Sequence, residues 1–195
     1  MSQVELLGVV ISSDLKWYKN TDHITKKAMK KIWTLRRLKK IGSSIEFMID
    51  VYIKEIRSLL EQAVQIWHSG LTLKQDAQIE RVQKTALFVI LDKNYLNYEN
   101  ACIETGLDTL RQRREDLCYN FSKKNLKSKD ILFTKVDGSH NMRSGKVKVK
   151  EYFCRTKRLR DSPLPYLGRL LNSKCCLLYT SPSPRDLSTS RMPSS

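Results

Sequence analysis

The chain's 195 residues carry 36 Lys+Arg against 20 Asp+Glu, a formal net charge of +16, and an imbalance of that size points to a polyanionic partner, nucleic acid first. No run approaches the roughly 18 apolar residues of a membrane span, and no secretory pattern opens the chain. This argues against a membrane and for an intracellular protein, nuclear or cytoplasmic. Five cysteines, Cys102, Cys118, Cys154, Cys175 and Cys176, lack regular spacing, so reduced thiols are expected rather than a disulfide framework.

In chain order, Val4 to Ile11 is short and rich in β-branched residues, and Ser12-Ser13-Asp14 closes it. It reads as one strand running into a turn. Asp22 or Thr21 can cap a helix to about Lys40, with Ile24, Ala28, Ile32, Leu35 and Leu38 at helical spacing. Gly42 breaks it. Ser43 with Glu46 forms a capping box for a second helix, apolar through Ile49, Tyr52, Ile53, Ile56, Leu59, Leu60 and Ala63. Thr72 and Gln75 open a third, carrying Ala77, Ile79, Val82, Ala86, Val89 and Ile90. A short helix near Tyr98–Thr105 ends at Gly106, and a further one runs from about Thr109 to Leu126.

The expected fold class is therefore mainly α, one N-terminal strand followed by a helical bundle and then an irregular basic C-terminal segment. The boundaries read as 1–20 for strand and turn, 21–127 for the bundle and 128–174 for the basic segment. Within that segment a strand near Val147 is expected, and Ser162 to Leu167 reads as a turn or extended stretch able to dock back on the bundle. Residues 175–195 turn abruptly Ser/Pro-biased and resemble translated sequencing-adapter read-through. They are set aside as an unstructured tail, and the true C-terminus is expected to be missing.

The motifs of catalysis are absent from the sequence. There is no Asp-Asp pair to hold two divalent cations, no phosphate-cradling glycine loop, and no Cys-x-x-Cys. His23, His68 and His140 are far apart and read as structural or surface residues; no metal ligand set is expected. The feature that carries function is the basic face of the first helix, Lys26, Lys27, Lys30, Lys31, Arg36, Arg37, Lys39 and Lys40, whose cations can follow a phosphate backbone and displace its counterions. A merely solvated helix face is the plain alternative. Trp17, Tyr18 and Trp33 flank it and could stack on bases; packing in the core or at a hinge is the favoured role for them.

Several segments together carry a resemblance. Leu6-Leu7-Gly8-Val9-Val10-Ile11-Ser12-Ser13-Asp14-Leu15-Lys16-Trp17, then Asp22-His23-Ile24-Thr25-Lys26-Lys27-Ala28, resembles the region just after the catalytic core of non-LTR retrotransposon reverse transcriptases, jockey-like and related LINE-type enzymes. Trp67-His68-Ser69-Gly70-Leu71-Thr72, Ile79 to Lys84, Gly106-Leu107 with Arg113-Arg114, and Ser162 to Asn172 fit the same family in the same order.

The resemblance implies that the Leu-Gly-Val strand is the end of the palm, with Leu7, Gly8 and Val9 in the primer-grip neighbourhood, and that the following helices form the thumb. It implies further that the catalytic aspartates lie upstream. This chain would then be a C-terminal fragment of an RNA-directed DNA polymerase of a mobile element, inactive alone. It would bind an RNA/DNA template-primer and the missing palm and fingers, and would hold none of the magnesium of the parent enzyme. The alternatives are a non-enzymatic helical adaptor for a protein partner and a functionless pseudogene product.

Overall fold

The computed structural model describes residues 3–127, 133 and 149–177. Among these the chain is mainly α-helical behind a short N-terminal sheet, the fold class expected from the sequence.

The opening apolar run forms two strands, not one. β1 (Gln3–Leu6) and β2 (Val9–Ser12) pair antiparallel, with Leu6 opposite Val9. Leu7 and Gly8 form the two-residue turn, at φ 49° and 81°. Two successive positive φ values give the twist that a tight hairpin needs, and glycine takes the second without strain. The continuous apolar pattern concealed the turn because Leu7 occupies the other left-handed position. β2 buries Val9, Val10 and Ser12, whereas β1 is exposed throughout.

Helix α1 (Tyr18–Lys40) starts three to four residues before the expected caps. Thr21 donates its backbone N–H to the Trp17 carbonyl (2.8 Å), and Asn20 turns inward to accept from the Val10 N–H at 3.0 Å. Anchoring of the hairpin thus overrides the local capping signal. The expected core stripe of Ile24, Ala28, Ile32 and Leu35 is buried.

After Gly42 (φ 79°), α2 (Ile45–Val51) is capped by Ser44, whose hydroxyl accepts from the Phe47 N–H. This is one residue beyond the Ser43 box read from the sequence. A π-helical turn, Tyr52–Arg57, leads into α3 (Ser58–Glu61). The helix expected to run through Ala63 ends there because Ala63 is left-handed, φ 49°. The Trp67 indole N–H bonds the Gln62 carbonyl across the break (2.9 Å), and α4 (Val64–Trp67) follows.

The Thr72–Gln75 capping box is formed as read, and α5 (Leu73–Leu91) crosses α1 to build the main core. Gln83, fully buried on α5, accepts from the Tyr52 hydroxyl (2.7 Å) and donates to the Asp108 carbonyl (2.9 Å). This satisfies polar groups that would otherwise be costly in an apolar interior. α6 (Tyr98–Thr105) ends at a left-handed Gly106 as expected, and α7 (Leu110–Lys127) follows.

The C-terminal part departs from the irregular segment and the turn expected there. A single helical turn, α8 (Lys157–Arg160), precedes α9 (Pro163–Leu177). Pro163 opens α9, where its missing N–H costs nothing. Leu167 and Leu171, four apart, are buried; the spacing is legible in the sequence, but the two prolines mask it. α9 runs to Leu177, past the point at which the tail was set aside. Val147 lies outside the described residues; Val149, beside it, exchanges backbone hydrogen bonds with the Asn172 carboxamide (3.1 and 3.0 Å).

Gly70 meets a close neighbour. A Cβ there would fall 2.6 Å from the Trp17 indole nitrogen. Gly70→Ala is expected to lower the unfolding free energy by about 1–3 kcal/mol, the usual range for overpacking, read as a fall in the urea midpoint. An unchanged midpoint would mean that Trp17 moves aside freely.

Candidate nucleic-acid interface

Helix geometry sorts the basic residues of α1. Successive side chains turn by about 100°, so Lys26, Lys30, Trp33, Arg37 and Lys40, spaced four, three, four and three apart, form one ridge. That ridge faces away from the buried stripe of Ala28, Ile32 and Leu35. It spans about 21 Å at 1.5 Å per residue, the axial rise of roughly six base pairs. All five residues are exposed.

The other basic residues divide. Lys27 and Arg36 flank the ridge and are exposed. Lys31 is held by Glu55 at 2.8 Å, and that hydrogen bond and charge keep the Glu55 carboxyl below its ordinary value. Lys39 is half-buried and donates to the Ile90 carbonyl (3.0 Å), satisfying a carbonyl near the end of α5. Eight cations expected as one face therefore comprise two with intramolecular work and six available to solvent. Among the described residues no ion pair engages those six.

The aromatic residues part company too. Trp17 packs against the core cluster, as favoured from the sequence. Trp33 is 58% exposed and carries the Arg37 guanidinium over its ring at 4.6 Å. The favoured packing role for Trp33 is thereby corrected: its position opposite the core stripe leaves it no core to enter.

Leu7 and Gly8 lie at the hairpin turn, not on the ridge. Leu7 is exposed and Val9 is buried. The Leu7 carbonyl accepts from the Gln62 carboxamide (2.6 Å), and the same carboxamide faces Gly8. The chain break after α3 is thus what receives the turn.

A second polar centre went unnoticed in the sequence although its members sit in the motifs Trp67-His68-Ser69-Gly70 and Arg113-Arg114. Arg114, with no exposed surface, pairs with Asp76, and its Nε–H points at His68 Nδ1 (3.4 Å). Asp76 also meets Arg111 at 3.7 Å. The Tyr166 ring packs edge-on against His68, centroids 5.7 Å apart. α4, α5, α7 and α9 are tied together at this point. An arginine four residues before the buried Cys118 is the only signal the sequence offered, since that spacing places Arg114 on the core face of α7.

Burial and the neighbouring Arg114 charge lower the His68 pKa to about 4. An unfolded histidine titrates near its ordinary value of 6.5, so between pH 6.5 and 4 the unfolded chain binds the extra proton. Stability is then present above 6.5 and falls with decreasing pH, by up to about 1 kcal/mol per pH unit. His68→Gln is expected to flatten this slope in denaturant titrations at pH 7, 6 and 5; an unchanged slope would assign it to other groups.

Cys102 and Cys118 are free and buried, as read from their apolar helical positions, and burial pushes the Cys118 thiol up to about 12. The side chains of Cys175 and Cys176, like His140, lie outside the described residues. Among the described residues no three His, Cys, Asp or Glu side chains gather to hold a metal ion, and no helix is long and apolar enough to cross a membrane. In comparisons with known proteins, no family model, no curated protein and no solved structure matches the chain.

Proposed function

We propose that this chain is the thumb and C-terminal part of a reverse transcriptase from a non-LTR mobile element, and that its role is to hold the RNA/DNA template-primer. The observation that carries this reading is the α1 ridge, a solvent-facing row of cations about 21 Å long with an exposed indole in its middle. Such a row suits a backbone of regularly spaced phosphates, contacted without regard to sequence. The ordered family-like segments found in the sequence support the same assignment, and the charge of +16 agrees with a polyanionic partner.

On this reading the catalytic aspartates and the magnesium they hold belong to the missing palm. The hairpin of β1 and β2 is the palm's end, and the work is done inside the cell, in the nucleus or the cytoplasm. The test is fluorescence anisotropy of a labelled RNA/DNA hybrid with a recessed primer end. Saturable binding that weakens steeply with salt is expected; absence of binding at low salt would overturn the proposal.

One observation favours the adaptor reading: the hairpin leaves Val4, Leu6, Leu7 and Leu15 exposed, an apolar surface of the kind that protein partners cover. Capture of a protein partner together with indifference to the hybrid would favour it.

A further inference from the structure

Outside the ridge, the most pronounced concavity is a cleft of about 690 Å³ between the segment around α8 and the outer face of α9. Four cations line it, Arg155, Lys157, Arg160 and Arg169, against the single carboxylate of Asp161. Among the described residues none of the four takes part in an ion pair. Arg169 Nη2 donates to the Arg160 carbonyl (2.6 Å), which fixes its head group beside α8. Ser69 lines the cleft as well, and its hydroxyl is buried without a partner.

The local fold explains the convergence. Thr156 caps α8 by accepting from the Leu159 N–H (3.2 Å). Arg158 is drawn off to the Asp14 carbonyl (3.0 Å), leaving Lys157 and Arg160 as the cations of that turn that line the cleft. α9 is pinned from behind by Leu167, Leu171 and the Lys174–Asp116 ion pair (2.6 Å), with Arg169 and Leu170 lining the cleft.

Un-neutralised cations converging in a concavity repel one another and raise the local concentration of anions. Guanidinium forks match phosphate oxygens in pairs. The volume falls within the range of small-ligand sites, and Tyr166 and Leu170 add an apolar wall suited to a sugar or base. We infer that this cleft is a phosphate-binding site that takes one nucleotide unit, either free or as part of a strand. The site is separate from the α1 ridge and does not depend on it.

Cys154 lines the cleft and is a free thiol, so occupancy can be read from its alkylation rate in the full chain, followed by mass spectrometry of the peptide that contains it. AMP, inorganic phosphate and the trinucleotide ApApA with hydroxyl ends serve as probes, with adenosine as the control. With AMP at ten times its Kd, alkylation is expected to slow about tenfold by mass action, whereas adenosine leaves the rate unchanged. Slowing by ApApA at lower concentration than AMP would identify a strand as the source of the phosphate; slowing by AMP alone would identify a free nucleotide.

The variant R155Q/K157Q/R160Q alters exposed side chains, and its helical circular dichroism is expected to match the parent's. In it the AMP effect should vanish, while a variant altered only on the α1 ridge should keep it. Equal slowing by adenosine, no slowing by AMP, phosphate or ApApA, or full protection in the triple variant would each overturn the site.

Discussion

Replacing Lys26, Lys30, Arg37 and Lys40 by glutamine is expected to flatten the plot of log affinity against log salt for an RNA/DNA hybrid by about three to four units, at roughly 0.9 unit for each phosphate no longer neutralised. The four belong to the one ridge that faces away from the core, so the change removes charge without removing packing. The double variant K31Q/K39Q is the informative control. Its cations are already occupied by Glu55 and by the Ile90 carbonyl, and the slope should stay within about one unit of the parent's. Equal flattening by both variants would mean that net charge, not the ridge, governs binding. An unchanged slope in the quadruple variant would remove the ridge from the interface.

The other large effect concerns stability. Arg114→Met leaves Asp76 without its buried partner and His68 without its donor, and removal of one member of a buried pair is expected to cost about 3–5 kcal/mol. A domain of ordinary stability has only about 5–15 kcal/mol in total, so the variant should unfold at markedly lower urea. Arg114→Lys is expected to rescue little, because one ammonium cannot reproduce a fork that reaches both Asp76 and His68. The double variant D76L/R114M should lose much less than the sum of the single losses, since it leaves no unpaired buried charge. A loss below about 1 kcal/mol for Arg114→Met would show that water reaches the site and solvates Asp76.

The residues that were legible in the sequence are those whose local pattern and tertiary role agree. The Thr72–Gln75 box, the glycine stop at Gly106 and the stripe from Ile24 to Leu35 each say the same thing at both levels. The misread positions are those where a distant group decides. Asn20 begins α1 early because Val10 needs an acceptor. Ala63 adopts a left-handed turn with no glycine to announce it, at the break where the Gln62 carbonyl receives the Trp67 indole N–H. Of the candidate interface, the sequence located the basic helix correctly but could not separate Lys31 and Lys39 from the rest, because Glu55 and Ile90 are brought to them only by the packing of other elements.

The N-terminal hairpin also bears on how the molecule breathes. β1 buries no residue, and the side-chain ties from the turn and β2 to the bundle include the Gln62–Leu7 and Asn20–Val10 bonds. Detaching β1 therefore exposes little apolar surface, whereas opening α1 from α5 exposes the core. Amide protons of β1 should exchange with deuterium through a local opening of low free energy, and those of the α1 and α5 core turns only through global unfolding. The end of the chain that would meet the rest of a polymerase is thus the part that can shift without loosening the helix that carries the cations, so that adjustment at that junction and grip on the strand are mechanically independent.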